Sequence, residues 1–599
     1  MTPTAPNTIN EIFFGIVDSN RDRVMTYKQT VKWIPIASRE LYRDAVGVAR
    51  TLASWGIQRG DRIAILSENR PEWALADFGA MLLGAVVVPI YTTLTAEQTA
   101  YLLKDSGARV IFLSTAEQLK KFLEIRHETQ VEKAVIMDYV GITEAIPMHR
   151  LMHEGPLTRD PDLDARAKSI GPGDVATIIY TSGTTGIPKG VVLTHGNMAS
   201  NVACSLEAFG VGHDDVYISF LPLSHVTARH VDYAMLFNNV TVAYCTKIDQ
   251  VLTAITEVHP SVLVAVPRVY EKIAAQVRQQ TQSGLKHRLY EWALQVGRTH
   301  REQVLAGKTP SSLNWKLADK LVFSKVRKAL GGRVQLFISG GAPLGRDLAA
   351  WYADIGIRIH EGYGLTETSP VVSVNTPSNH KLGTVGKPLR NVEVKIADDG
   401  EILVRGPSVF HEYWKMPEDT RNAFVGDWFK TGDIGNLDSD GFLSITDRKK
   451  DLIKTSGGKF IAPQPLENKL KANALVQEAV LVGDKRKFIS VIIQPNFAVV
   501  EDWARRNEVK FSSHEELVQT PKVRALFEVV IGAINDELAR FETIKKFILV
   551  AEDFSIANGT MTPSMKVRRR MVEERYRPEI EALYAEELPA EVTSTSLTG

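Results

Sequence analysis

The 599-residue chain has only two cysteines, Cys204 and Cys245, so it lacks the disulfide framework of small secreted domains and fits a reducing, cytoplasmic setting. Long hydrophobic runs are missing too. The longest largely apolar stretch, FGAMLLGAVVVPIY at residues 78–91, contains two Gly and a Pro and falls short of the roughly 20 apolar residues of a membrane-spanning helix. The N-terminus, MTPTAPNTINEIFF, has neither the basic nor the apolar region of a signal peptide. A large charge of one sign is absent as well: 71 Lys and Arg face 70 Asp and Glu, and no nucleic-acid partner is expected. What remains is an ordinary soluble composition, 44% apolar and 8% aromatic, which buries a large core without help from metals. The length asks for several structural units.

Short apolar runs recur between amphipathic stretches: RIAIL (62–66), AVVVPIY (85–91), RVIFL (109–113), ATIIY (176–180), VLVAV (262–266) and VQLFI (334–338). Helical patterns fall between them at 38–55, 71–83 and 194–207. The alternation predicts an α/β fold with parallel-rich sheets. Residues 268–333 stand apart, with fourteen Lys or Arg against four Asp or Glu, a surplus of +10 in a chain of net charge +1. Leu285, Leu289, Trp292 and Val296, then Leu313, Leu317 and Leu321, recur there at helical spacing. This segment reads as a basic helical insertion, either a solvated face or one that meets an anionic membrane. After DRKKD (447–451) the pattern shortens into a small α+β domain, and PAEVTSTSLTG at 589–599 has the composition of a disordered tail.

Residues 180–190 read YTSGTTGIPKG. Hydroxyls, glycines and one ammonium after a strand suit a phosphate cradle. Backbone N–H groups and hydroxyls donate to the oxygens, and a helix following the loop would add its dipole. The order Gly183, Gly186, Lys189, Gly190 does not match the Walker A spacing. Further strings follow in order: LPLSH (221–225), SGGAPL (339–344), EGYGLTET (361–368), KTGD (430–433), DRKKDLIKTSGGK (447–459) and TPSMKVRR (562–569). SGGAPL follows an apolar strand, where the carboxyl end of an open α/β sheet favours ligands. His149 and His153 lie at i, i+4 without the accompanying ligands of a zinc site.

Together these strings resemble the adenylate-forming superfamily of acyl-CoA synthetases, peptide-synthetase adenylation domains and beetle luciferases, over about residues 30–580. The resemblance implies a large N-terminal domain at 1–447 for nucleotide and acyl group, and a mobile C-terminal lid at 448–588. It implies that Thr181, Ser182, Gly183, Thr184, Thr185, Gly186 and Lys189 hold the triphosphate of ATP. Glu367, aided by Thr184, looks like the Mg²⁺ anchor, and Thr366 an α-phosphate contact. Gly341 and Ala342, with Gly340, give a flat wall for adenine, and Tyr363 closes its other face. Asp433 resembles the ribose carboxylate, Arg448 a second ribose contact, and His225 a neighbour of the acyl carboxylate. Lys450 takes the hinge position. Lys566 would reach the α-phosphate in one pose of the lid. In the other, Thr455, Ser456, Gly457 and Gly458 would line the channel for coenzyme A.

Ser564-Met565-Lys566 stands where shorter-chain synthetases carry Ser-Gly-Lys, and GDWFKTGDIGNLDSDGFLSITDRKK (426–450) resembles the fatty-acyl-CoA synthetase signature. The expected activity is therefore an AMP-forming long-chain fatty acid–CoA ligase, acting as monomer or homodimer. A fatty acyl-AMP ligase serving an acyl carrier protein is the nearest alternative. A non-catalytic sensor is disfavoured because Glu367, Asp433 and Lys566 are all present.

Overall fold

The computed structural model describes residues 5–585 except 139–140, 142, 153, 157, 182–187, 282–283, 457–458, 563–565 and the side chain of Ile248. Ser182, Gly183, Thr184, Thr185, Gly186, Gly457, Gly458, His153 and the 589–599 tail thus lie outside the described residues. The chain divides into two compact units, the first ending at Ile445 and the second starting at Thr446.

Three sheets build the first unit. One has the order 387–388, 371–374, 359–364, 336–339, 262–265, 216–219, 241–244, 25–29, 32–36, and is parallel from Ile359–Gly364 through to Met25–Gln29. A second runs 412–413, 189–194, 175–181, 86–90, 62–66, 110–113, 133–136, 146–147, with its parallel part from Val175–Thr181 onward. The third, around Trp428–Leu437, is antiparallel. Central parallel strands are buried on both faces, so they are continuous apolar runs: every residue of Val86–Ile90 is buried.

The helix Val226–Phe237 lies between the first two sheets. Its Arg229 donates to Thr177 Oγ1 in one, at 2.8 Å, and its Asp232 accepts from Ser219 in the other, at 3.1 Å. The basic segment forms helices Pro267–Gln280, Gly284–Leu305, Leu313–Ala318 and Ser324–Ala329 between the strands Val262–Ala265 and Leu336–Ser339. Its expected apolar face is only partly buried. Val296 is covered, whereas Leu285 and Leu313 are 84% and 83% exposed.

The second unit carries the strands Val476–Val482, Ile489–Pro495 and Ile544–Leu549, flanked by helices that include Pro463–Lys471 and Pro521–Asn535.

The phosphate loop departs from one expectation. The segment after it is a strand, Lys189–Thr194, paired antiparallel with Val175–Thr181, and the helix starts only at His195. Val191 and Val192 favour the ladder, and Thr194 caps the helix by accepting from Asn197 N–H while the Asn197 side chain accepts from Thr194 N–H. The helix dipole therefore does not open at the loop.

Candidate active site

The hairpin ladder makes Thr181 and Lys189 direct cross-strand partners, so the loop's two ends are fixed against each other. On the far side of Lys189–Thr194 runs the short strand Glu412–Tyr413, pairing Tyr413 with Val191. This places three expected and unexpected groups together. The Lys189 ammonium lies 5.2 Å from the Tyr413 ring centroid, and the Tyr413 hydroxyl donates to Glu367 Oε1 at 2.9 Å. Lys189 is also ion-paired with Asp419. Burial, then the Glu367 carboxylate, pushes the Tyr413 hydroxyl far above its usual range, so it stays a donor. Neither Tyr413 nor Asp419 carries a sequence signal. HEYWKMPEDT has no distinctive spacing, and only the strand pairing brings it to Lys189.

Thr366 and Glu367 sit in the 3₁₀ turn Thr366–Thr368, which follows the strand Ile359–Gly364, and Phe410 N–H binds the Glu367 carbonyl at 2.8 Å. Tyr363, on that strand, donates its hydroxyl to Asp433 Oδ2 at 2.7 Å. Asp433 lies not in a turn but inside the ten-residue strand Trp428–Leu437. Gly432 there has φ +70°, and its N–H binds Glu401 Oε1 at 2.9 Å. That left-handed backbone is open to glycine at little cost and explains the Gly of KTGD. Asp433 N–H in turn binds Thr431 Oγ1 at 3.1 Å, which fixes the backbone while Tyr363 holds the carboxylate.

Gly340 and Gly341 follow the strand Leu336–Ser339, with Gly341 at φ +82°, and Ala342 is exposed beyond them. They border an apolar cavity of about 640 Å³, part of it open to solvent. The strand Ile359–Gly364 contributes Gly362, Tyr363 and Gly364 to its wall. Val371 and Val374 come from the next strand, and Thr227, His230, Val231, Ala234 and Met235 from the helix Val226–Phe237. Glu361 also lies at these strand ends, a residue that motif reading passed over. Burial pushes its carboxyl up to about 7, against one hydrogen bond from Leu344 N–H. His225 caps the helix instead of lining the cavity: its Nδ1 accepts from Thr227 N–H at 3.1 Å. With Nδ1 accepting, a neutral ring carries its proton on Nε2.

In the second unit, Arg448 and Lys450 are exposed, flanking a turn in which Asp451 N–H binds the Arg448 carbonyl at 2.9 Å. Beside them Asp447 is buried. Its carboxylate accepts from Gln464 N–H at 2.9 Å and from Arg448 N–H at 2.7 Å, and burial pushes it up to about 6. Lys566 is exposed, and its backbone exchanges bonds with Thr562: Lys566 N–H to Thr562 Oγ1 at 3.0 Å, and Thr562 N–H to the Lys566 carbonyl at 2.8 Å. Thr455 and Ser456 join the strands Ile453–Lys454 and Phe460–Ile461. Thr455 N–H binds the Lys459 carbonyl, and Ser456 N–H that of Arg486.

Comparison with known proteins identifies the family. Residues 17–414 match the family of AMP-binding enzymes, and 450–588 match the AMP-binding enzyme C-terminal domain. The long-chain-fatty-acid–CoA ligase FadD15 of Mycobacterium tuberculosis is 38% identical over 560 residues, covering 93% of each chain. The long-chain-fatty-acid–CoA ligase ACSBG1 of Homo sapiens is 30% identical over 98% of this chain and 86% of its own. Among solved structures, the fold is shared with the anthranilate CoA ligase AuaEII in complex with anthranoyl-AMP, at a TM-score of 0.74 and 20% identity over 97% of this chain and 99% of that one. It is shared too with the Mycobacterium tuberculosis fatty acyl CoA synthetase, at a TM-score of 0.64 and 24% identity over 96% and 99%. Two family matches in sequence order, and relatives that span nearly the whole chain, establish that this chain belongs to the AMP-binding enzymes.

Proposed function

We propose that the chain is an ATP-dependent long-chain fatty acid–CoA ligase. One observation carries the reading: Gly340, Gly341 and Tyr363, three of the four residues assigned to adenine, also wall an otherwise largely apolar cavity, which supports a nucleotide and an acyl chain meeting at the same strand ends. In the first half-reaction an oxygen of the fatty acid carboxylate bonds to the α-phosphorus of ATP as the bond to the β-phosphate breaks and pyrophosphate leaves. In the second, the thiol of coenzyme A gives up its proton to solvent and its sulfur takes the acyl carbon, releasing AMP.

Thr181, Lys189 and the hydroxyls and glycines of 182–186 hold the leaving phosphates. Asp433 takes the ribose hydroxyls with Arg448, and Thr366 meets the α-phosphate. His225 donates its Nε2 proton toward the carboxylate. Glu367 with Thr184 is a hard-oxygen donor set that fits Mg²⁺, and the Tyr413 hydroxyl fixes the orientation of that carboxylate. Mg²⁺ bound there supplies charge neutralisation for the departing pyrophosphate. Lys566 adds positive charge at the α-phosphorus, Lys450 serves as the hinge, and Thr455–Gly458 line the thiol's approach.

The test is CoA-dependent AMP release with saturated acids from two to twenty carbons, each below its aggregation limit. Each buried methylene adds roughly 0.8 kcal/mol, so kcat/KM should rise from about eight carbons to a maximum between about twelve and eighteen. An optimum at six carbons or fewer, or release of AMP only with an acyl carrier protein, refutes the assignment. Lys566→Ala should slow adenylation roughly 10²-fold while sparing thioester formation from supplied acyl adenylate.

The partner supplying the acid we take to be an anionic membrane face. Exposed Leu285, Leu313 and Leu317 stand among exposed Lys286, Arg288, Lys316 and Lys320 on the helical insertion, a pairing of apolar and basic groups suited to a lipid surface. Among the described residues no helix is long and apolar enough to cross a membrane. Sedimentation with anionic vesicles should fall steeply with salt, and binding indifferent to lipid charge removes this part of the reading.

A further inference from the structure

The acyl cavity is not uniformly apolar. His230 lines it and is 2% exposed; one ring nitrogen, Nε2, lies 2.9 Å from Ser205 Oγ, and the other, Nδ1, is buried with no hydrogen-bond partner. Ser205 lines the same cavity, and so does Ser339, whose buried hydroxyl likewise has no partner. A buried polar atom left unpaired is costly, and a wall that served only methylenes would gain by carrying Leu or Val at these positions. Burial holds the His230 ring neutral, its pKa lowered to about 3, so it cannot serve as a counter-ion to the substrate carboxylate.

The hydrogen bonding selects the complementary group. If the Ser205 hydroxyl donates to Nε2, Nδ1 carries the ring proton and is a donor; if Nε2 donates to Ser205, Nδ1 is an acceptor. A hydroxyl satisfies both cases, since it donates and accepts, whereas a carbonyl satisfies only one. Its place on the chain follows from the helix. His225, beside which the carboxylate is proposed to sit, is the N-cap and lies outside the cavity lining, whereas His230 is inside it. A group that meets His230 therefore belongs down the chain from the carboxylate.

We propose that His230, supported by Ser205 and Ser339, is a specificity-determining polar point in the acyl cavity, and that it favours long-chain acids bearing a mid-chain hydroxyl over the plain acids of equal length. The inference rests on the acyl-CoA ligase reading, because it takes this cavity as the acyl site.

The experiment is kcat/KM, by CoA-dependent AMP formation, for hexadecanoate and its positional hydroxy isomers, with the wild type, His230→Leu and Ser205→Ala. In the wild type, one mid-chain isomer should exceed hexadecanoate by roughly five- to tenfold, the scale of one buried hydrogen bond. His230→Leu should abolish or invert that ratio, which compares two acids on one preparation and so is not moved by a general loss of folded enzyme. Ser205→Ala should reduce the ratio in the same direction. If the wild type turns over hexadecanoate but no isomer exceeds it, or if the ratio is unchanged in His230→Leu, the polar point is refuted and the ligase reading stands. If no fatty acid is activated, both fall.

Discussion

The two faces of the helix Val226–Phe237 differ as sharply as any two regions of this protein. On one face, Arg229 is 1% exposed and pairs with Asp77 at 2.5 Å, donates to Thr177, and lies over the Trp73 ring at 5.5 Å. Tyr233, one turn on, donates to the same Asp77 carboxylate. Asp232 reaches the other sheet through Ser219. On the opposite face, Thr227, His230, Val231, Ala234 and Met235 recur at i, i+3, i+4, i+7 and i+8 and wall the cavity. One face is pinned to both sheets by charge and hydrogen bonds. The other presents its side chains to a ligand. A helix clamped in this way can vary its cavity face without moving.

The largest expected effect comes from breaking the pinned face. Arg229→Met leaves the Asp77 carboxylate buried and unpaired, and should cost about 3–5 kcal/mol in urea unfolding. Adding Asp77→Leu should recover most of it, because a well-packed apolar pair often replaces a buried ion pair without loss. Either variant should depress activity on all acids alike.

The cavity face should behave in the reverse manner. Ala234 is 1% exposed there, and Ala234→Phe puts a ring where the chain would run. Excluding two or three methylenes at roughly 0.8 kcal/mol each should lower kcat/KM for the longest acids by about ten- to fiftyfold and spare the shorter ones. Uniform loss across the acid series argues against this wall contacting the chain.

A smaller, pH-dependent effect belongs to Asp232. Burial raises its carboxyl to about 7, so between pH 4 and 7 the folded protein holds a proton that the unfolded chain has lost. Stability from this group is therefore greatest below pH 4, falls as pH rises to 7, and is constant above. Asp232→Asn escapes the loss. Its melting temperature should exceed the wild type's at pH 8, by an amount reflecting on the order of 1–2 kcal/mol, and the difference should vanish toward pH 4.

The smallest effect tests the contrast at a pair that is not buried. Lys189 and Asp419 form an ion pair whose aspartate is 44% exposed, so the lysine can exchange this partner for phosphate. Asp419→Asn should lower the KM for ATP roughly two- to threefold with kcat little changed. A raised KM indicates instead that Asp419 positions the lysine.

Much of this was legible in the sequence where one contiguous string carries both structure and chemistry. RIAIL at 62–66 is the strand Arg62–Leu66, and VLVAV at 262–266 gives Val262–Ala265, because strands covered on both faces must be apolar throughout. The helical pattern at 38–55 is Ser38–Ser54. Two conformations escaped. The hairpin return after the phosphate loop reads as a glycine-rich approach to a helix until its pairing with 175–181 is known, and KTGD reads as a turn until Gly432 is seen within a strand. The partners missed at the site, Tyr413 and Asp419, are more than 220 residues from Lys189, and nothing in their local pattern points to a lysine across a sheet edge. Arg229 is harder still: a single arginine in an apolar helix gives no sign that its counter-ion is Asp77, 152 residues earlier.

The pairing of Thr181 with Lys189 also sets which insertions and deletions this site can survive. Side chains alternate faces along a strand, so losing one residue between Gly190 and Thr194 carries Lys189 to the opposite face of the hairpin, away from Tyr413 and Glu367. Losing two restores the face but draws the lysine back along the strand by roughly 6–7 Å. Within the ladder, the strand that carries Lys189 therefore tolerates no change in length, because either deletion takes the lysine off the position it shares with Tyr413 and Glu367.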